Sequence, residues 1–489
     1  MSTASKNDNR KMYLILLIGV IIMLGIGVLP PFGQVTQIGM RLLGIFCGCI
    51  FIWLFGYISI GSIIGILLLA LYVPENTGNT TFPAVFGNYN LIMILFCLIF
   101  CYGLQKSGVL TYLAKLILSA KFVRKGPWHL ALAFWLAAIL CASIVTNSLA
   151  AAILIFGIFY EVADKVGIKK RSRYCVFVLI ISATFSSLCI ACFPYSPALW
   201  VPIGIMQSVA PQITEIPIIH ICAVNWILIF ITLLIVSILL KILLVAGIIK
   251  PEFNLSNDFT IVSKSDLNMT PQVKAGFAYI ILVTVMMVGS SVIPQTNIVG
   301  AYLNRFGVIG VFIFTTLLMC LISIKGERLM TFEEAMTKGV PWGMYFMLAA
   351  ALTIASTLTG EQAGVSATIT SFASTYLTGS NTYFFILAIL TFTLCLTNCI
   401  NNAVAQQLTI PIMTTLLVAA NINPILVVGM ATIVVEHGNV LPSGSPVGAL
   451  MHGNTAWMSS AQVYLIATVG SLCTILAMAI CIPLCFVLV

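Results

Sequence analysis

The chain has 489 residues, of which 61% are hydrophobic and 7% charged. A water-soluble fold carries roughly 25% charged residues, so this composition excludes an ordinary soluble domain. The formal net charge of +9 is no pointer to nucleic acid, because the basic residues cluster in short loops between apolar runs.

The first apolar run, residues 12–30, follows Lys6, Arg10 and Lys11. No small-residue cleavage site follows it, so it reads as an uncleaved first helix. Further basic clusters at 121–125, 165–173, 241–274 and 325–338 mark the cytoplasmic side, and the connections at 31–40, 74–89 and 359–380 fall outside. Spans are expected near 12–30, 41–57, 58–73, 90–104, 174–192, 221–245, 274–293, 306–324, 342–358, 423–446 and 461–487. Ile221–Leu240, for example, holds 20 residues without a charge, enough to cross a hydrocarbon core of about 30 Å. The expected fold is an all-α polytopic membrane protein with about eleven transmembrane helices, the N-terminus cytoplasmic and the C-terminus outside.

Two apolar stretches stand apart from that count. Trp128–Tyr160 has 33 residues between two basic loops, whereas two full crossings need about 40 residues and a turn. A re-entrant hairpin from the cytoplasm fits, although two short spans would preserve the same sidedness. Thr382–Ala420 has the same look from the outer side. Polar residues mark both centres: Thr146, Asn147 and Ser148 in the first, and Thr397, Asn398, Asn401 and Asn402 in the second. Each is followed by a proline-broken span, Phe193-Pro194-Tyr195-Ser196-Pro197 and Leu441-Pro442-Ser443-Gly444-Ser445-Pro446. The order recurs from opposite sides, which is an inverted repeat and the best sequence pointer to a transporter's binding site.

The expected division is a tail and first helix at 1–40, a first repeat at 41–250, a linker at 251–273 and a second repeat at 274–489. The first repeat carries an inner hairpin at 127–160 and a broken span at 174–210; the second carries an outer hairpin at 381–420 and a broken span at 423–455.

A helix broken in lipid survives only where it lines a cavity or coordinates something. Freed carbonyls suit a cation, and an Asn side chain offers both an acceptor and a donor. Ser, Thr and Asn also cap helices or bind neighbours, so no one of these residues alone marks a site. Two clusters in matching positions predict a cation site in each half and a substrate site between them.

These motifs resemble the divalent anion–sodium symporter family, the dicarboxylate, citrate and sulfate transporters, whose hallmark is a Ser-Asn-Thr tripeptide at each of two hairpin tips. Thr146-Asn147-Ser148 matches the first, and Asn401-Asn402-Ala403 the second, with a shared downstream Ile410-Pro411-Ile412. The stretch Gly339–Met344 also resembles that family's second half. The resemblance implies that Ser143, Thr146, Asn147 and Ser196 hold one Na⁺, and that Thr397, Asn401, Asn402, Ser443 and Gly444 hold another. Asn147, Ser148, Asn402, Ala403 and Pro442 would face a small divalent anion such as a C4-dicarboxylate, with citrate or sulfate, and proton coupling or exchange, as alternatives. It further implies a homodimer working as an elevator in the cell membrane, with sodium as coupling ion and no other cofactor. The sequence departs from that family where Ala403 lacks the threonine hydroxyl and where both proline motifs differ.

Glu436-His437 is set inside the tenth expected crossing. A carboxylate at membrane depth must be protonated, paired or solvated, so the pair is either a structural hydrogen bond or a coupling group. The one CxxC, Cys189–Cys192, sits in an apolar span, and the cysteines read as packing thiols. No HExxH, acidic metal cluster, nucleophile elbow or P-loop is present, so neither an enzyme nor an ATP-driven pump is expected.

Overall fold

The computed structural model describes residues 3–74, 76–213, 218–251, 253, 267–294, 296–377 and 382–487. Among them, twelve helices are long and apolar enough to cross a bilayer. The protein is a multi-pass helical membrane protein. Its outer surface is correspondingly greasy: Leu234, Ile238 and Ile242, successive along one helix face, are each more than half exposed. Such a stripe is a liability in water and ordinary against lipid. The described strands amount to one two-residue pair, Ser323–Ile324 with Glu327–Arg328.

Helix α1 (Thr3–Gly27) stands before two series of the same order. The first runs α2 (Gln37–Leu54), α3 (Ile58–Leu71), short α4 (Gly78–Phe86), α5 (Tyr89–Lys106) and short α6 (Val109–Leu118). A hairpin of α7 (Pro127–Val145) and α8 (Ser148–Val166) follows, then an interrupted pair, α9 (Arg173–Leu188) and α10 (Pro197–Val209), and long α11 (Ile218–Val245). The second runs α12 (Pro271–Val292), α13 (Ile298–Leu321), one-turn α14 (Phe332–Glu334), α15 (Trp342–Thr359) and short α16 (Val365–Leu377). Its hairpin is α17 (Thr382–Cys399) and α18 (Asn402–Ala419), its interrupted pair α19 (Ile425–Val435) and α20 (Pro446–Gly453), and its closing helix α21 (Ser460–Val487).

Local chemistry sets the starts. Thr36, Asn88, Asn147, Ser172 and Thr270 each precede a helix and accept one of its first free N–H groups. The hairpin arms α7 and α8 have 19 residues each, about 28 Å. What marks them as re-entrant is contact at the tips. Asn402 N–H donates to Gly444 O (2.9 Å) inside the break between α19 and α20, and Tyr195 O–H, inside the break between α9 and α10, donates to Ile144 O (3.1 Å). Each hairpin thus turns at the depth where a neighbouring crossing is interrupted.

Several expected boundaries are corrected. The span expected at 306–324 begins at Ile298 and is kinked at Gly307 (φ 61°, ψ 173°). The first hairpin continues past residue 160 to Val166. The tenth crossing breaks after Val435, six residues before Leu441-Pro442, because Glu436 to Ser445 pair with the hairpin tip instead of continuing the helix. The short helices α4, α6 and α16 were not anticipated. Most of the expected linker, residues 252 and 254–266, lies outside the described residues.

Two packing features position the tips. Every residue of α9 after Arg173 is buried, against α7, α8 and α21. Helix α10 packs on α5, α15, α18 and α19, so it joins the two halves.

Candidate functional site

The second tip is an oxygen cradle. Helix α17 ends at Cys399, and Asn401 starts α18 by accepting the Ala403 N–H (2.9 Å). The turn thereby places Asn402, buried, against the α19–α20 break. The Thr397 hydroxyl lies 2.8 Å from Asn402 Oδ1 and 2.5 Å from Val435 O. One hydroxyl proton serves only one of those acceptors, so the cluster has more lone pairs than protons. A β-carbon added to Gly438 would lie 2.0 Å from Asn402 Oδ1, 2.6 Å from Thr397 O and 3.0 Å from Gly444 O. One added to Gly444 would lie 2.5 Å from Gly438 O. Four oxygens therefore converge on space that only glycines at 438 and 444 leave open. The cluster thus turns several oxygen lone pairs toward one small space.

Neighbouring residues fix this geometry. Glu436 caps α19 and accepts from Asn402 Nδ2 (3.1 Å), which turns the Asn402 oxygen toward the cradle. Asn398 Oδ1 accepts from the N–H groups of Asn439 (3.0 Å) and Val440 (2.9 Å), holding the unwound segment. Asn439 Oδ1 accepts from Ser445 (2.8 Å) and from Ser187 of α9 (3.2 Å), which ties the break to the first half. His452 Nε2 lies 2.9 Å from Val440 O. His437 turns away from Glu436: its ring nitrogens lie 3.2 Å from Ser471 and Thr474 hydroxyls on α21. The two adjacent residues therefore serve different structures, the tip and the closing helix.

The first tip is organised differently. Thr146 ends α7 in the left-handed region (φ 53°), and its hydroxyl contacts Cys101 Sγ at 2.9 Å. Asn147 caps α8, accepting the Ala150 N–H (2.9 Å), with Ser148 as the first helical residue. Ser143 donates to Ile139 O (2.7 Å) and Ser196 to Ile190 O, both local bonds. The structure thus gathers Thr397, Asn402 and Gly444 into one cluster, while Ser143, Ser196 and the Asn147 oxygen bond within a few residues of themselves and Thr146 turns to Cys101 of α5. Ala403 is half-buried beside its cap; Pro442 and Ser443 are exposed, Ser443 reaching Cys399 O at 3.5 Å.

A cavity of about 100 Å³ opens at the first tip, lined by Thr146, Asn147, Tyr102, Gln105 and Lys338. Lys338 lies in a π-helical turn, Ala335–Gly339, that follows α14. Glu334 receives Lys106 (2.5 Å), Tyr102 (2.9 Å) and Lys338 (3.4 Å). Hydrogen bonds from Lys106 and then Tyr102 hold the Glu334 carboxyl down at about 2. Of the charged groups named here, Lys338 alone lines the cavity and presents a positive charge to it.

Gly438, Val435 and Lys338 were not anticipated as site residues. Gly438, beside the conspicuous Glu436-His437, was the one with a local signal. Lys338 had none, since its approach to Asn147 depends on packing between distant helices.

No family model matches the chain, and no curated protein matches it. Solved structures do. One is the Alcanivorax borkumensis YdaH transporter, described as having an unusual topology: 12% identity, TM-score 0.52, covering 88% of this chain and 97% of that one. Another is Neisseria gonorrhoeae MtrF, described with a class of antimetabolite efflux pumps: 12% identity, TM-score 0.56, covering 96% of each chain. At this identity the likeness shows a shared fold: the chain has the helical membrane architecture of these transporters over nearly its whole length.

Proposed function

We propose that the protein is a secondary active transporter coupling Na⁺ to the movement of a small divalent anion such as a C4-dicarboxylate. The observation that carries the reading is the oxygen cradle formed by Thr397, Asn402, Gly438 and Gly444 at the meeting of a hairpin tip and a broken helix. Unwound carbonyls and helix ends at such a junction suit a coupling cation. The positive edge at Lys338, beside Asn147, supports an anion at the first tip. Transport as the activity is also supported by the two structural neighbours, both transporters. Sodium is the coupling ion on this reading, carried across together with the anion and released. The protein would sit in the cell membrane as a homodimer with a cytoplasmic N-terminus, its hairpins and broken helices moving together.

The test is uptake of labelled succinate, citrate and sulfate into proteoliposomes, with inward Na⁺ or choline gradients. Accumulation that collapses in choline supports the reading and ranks the anions. Uptake driven by a pH gradient without Na⁺ would replace Na⁺ by H⁺, and folded protein that moves none of the three would overturn the substrate class.

A further inference from the structure

Lys338 stands between two partners. Its side chain lines the cavity at the first tip, and its ammonium lies 3.4 Å from Glu334 Oε1. Glu334 holds it loosely. That carboxylate already receives Lys106 at 2.5 Å and the Tyr102 hydroxyl at 2.9 Å, so it keeps an ion pair and a hydrogen bond when Lys338 leaves. The Lys338 side chain is 68% exposed, and exposed pairs four residues apart rank among the weakest ion pairs.

The backbone beneath that side chain is fixed. A β-carbon on Gly339 would lie 2.6 Å from Tyr102 Cβ, so the chain rests on α5 where only glycine fits. Trp342 Nε1 donates to Met336 O (2.9 Å) and ties the turn to the start of α15. Single π-helical turns are rare and recur at functional sites. This one sets a movable cation on a fixed base at the cavity rim.

The rest of the rim supplies neutral donors. Asn147 gives its side-chain oxygen to the Ala150 N–H (2.9 Å), so Nδ2 is the end left for the cavity, and Gln105 adds a second carboxamide. A volume of about 100 Å³ exceeds several-fold the room one water needs. An anionic group among these donors competes with Glu334 for one ammonium, and a flexible four-carbon stem lets Lys338 serve either.

We propose that Lys338 is exchanged between Glu334 and the transported anion, with Glu334 as the stand-in carboxylate that holds it while the cavity is empty. This deepens the reading of the first tip as the anion site and rests on it. Lys338 touches the anion; Glu334 acts through Lys338 and is a positioning residue.

The experiment is calorimetric titration of full-length protein in lipid nanodiscs, in saturating Na⁺, with whichever of succinate, citrate and sulfate binds tightest. Lys338→Gln should weaken binding roughly tenfold, the scale of one charge-assisted hydrogen bond, and Lys338→Arg should restore most of it. Glu334→Gln frees the ammonium and should tighten binding about threefold, the opposite of what a merely structural role predicts. In the Lys338→Gln background, Glu334→Gln should no longer tighten it. Lys325→Gln, in the exposed turn between the two short strands, should change nothing. Lys338→Met keeps the apolar stem and enters the cycle if Lys338→Gln loses its thermal transition. Wild type that binds none of the three anions overturns the anion reading and this proposal together. Three results overturn the exchange alone: wild-type affinity in Lys338→Gln, no tightening in Glu334→Gln, or equal tightening with and without Lys338.

Discussion

At the scale of single residues, the decisive observation is how closely oxygens approach Gly438. A methyl group there would sit 2.0 Å from Asn402 Oδ1, a distance at which something must move. The displaced atom is the side-chain oxygen assigned to the cation. Gly438→Ala should therefore raise the Na⁺ concentration for half-maximal uptake at least tenfold, and it should also lower thermal stability in choline, because the backbone oxygen of Thr397 would lie only 2.6 Å away. Equal Na⁺ dependence in the two proteins would remove the cradle from the mechanism. Glu436 acts on the same atom indirectly, by holding the Asn402 amide in one orientation. Glu436→Gln keeps an acceptor for Asn402 Nδ2, and Glu436→Leu removes it. The Gln variant should keep Na⁺-dependent uptake within several-fold of wild type, while Leu should abolish the Na⁺ dependence. If Gln and Leu behave alike in Na⁺ titrations, the lost charge and not the lost orientation is what matters.

At the scale of elements, the π-helical turn Ala335–Gly339 is latched to α5 through Glu334. A carboxyl held at about 2, below its ordinary 4.5, stabilises the folded form above the ordinary value. That contribution is lost as pH falls from about 4.5 through about 2. Hydrogen exchange at residues 335–339, corrected for its intrinsic pH dependence, should stay level from pH 7 to about 4.5 and rise below it. Glu334→Gln should show the faster exchange already at pH 7. The gain is modest because the pair is partly exposed and screened by salt. These elements also show what the sequence reveals and what it hides. Long apolar runs announce the crossings, and polar residues at the centres of Trp128–Tyr160 and Thr382–Ala420 announce the turns, since lipid tolerates such residues nowhere else. Short helices such as α6 and α16 carry too few turns to stand out from the spans beside them. The true break after Val435 was obscured by prolines further on, because what ends α19 is pairing with a hairpin 41 residues away in the chain, through Asn398 and Asn439.

At the scale of the whole molecule, α10 and the first tip form the seam between the hairpins and the scaffold helices. Asn147 and Lys338 line the same small cavity from opposite sides of that seam. A double variant, Asn147→Cys with Lys338→Cys, should cross-link with a short bifunctional maleimide in a background lacking Cys47, Cys101, Cys395 and Cys399. Because Asn147 is itself in the proposed site, the readout is exchange of the hairpin between inward- and outward-accessible labelling, which cross-linking should arrest. Unchanged accessibility in cross-linked protein would mean that the hairpin does not move against α5 and the π-helical turn. The burial of α9 from Tyr174 to Leu188 has a consequence in time as well as in space. Its neighbour α21 begins 272 residues after α9 ends, and synthesis at about 5–20 residues per second separates the two by roughly 15–50 s. During that interval a helix bearing Ser182, Thr184, Ser186 and Ser187 waits in the bilayer with one side uncovered. The nascent first half is thus a long-lived client for the quality-control machinery, and variants that slow or truncate the last helix should be cleared by degradation before any defect in transport is seen.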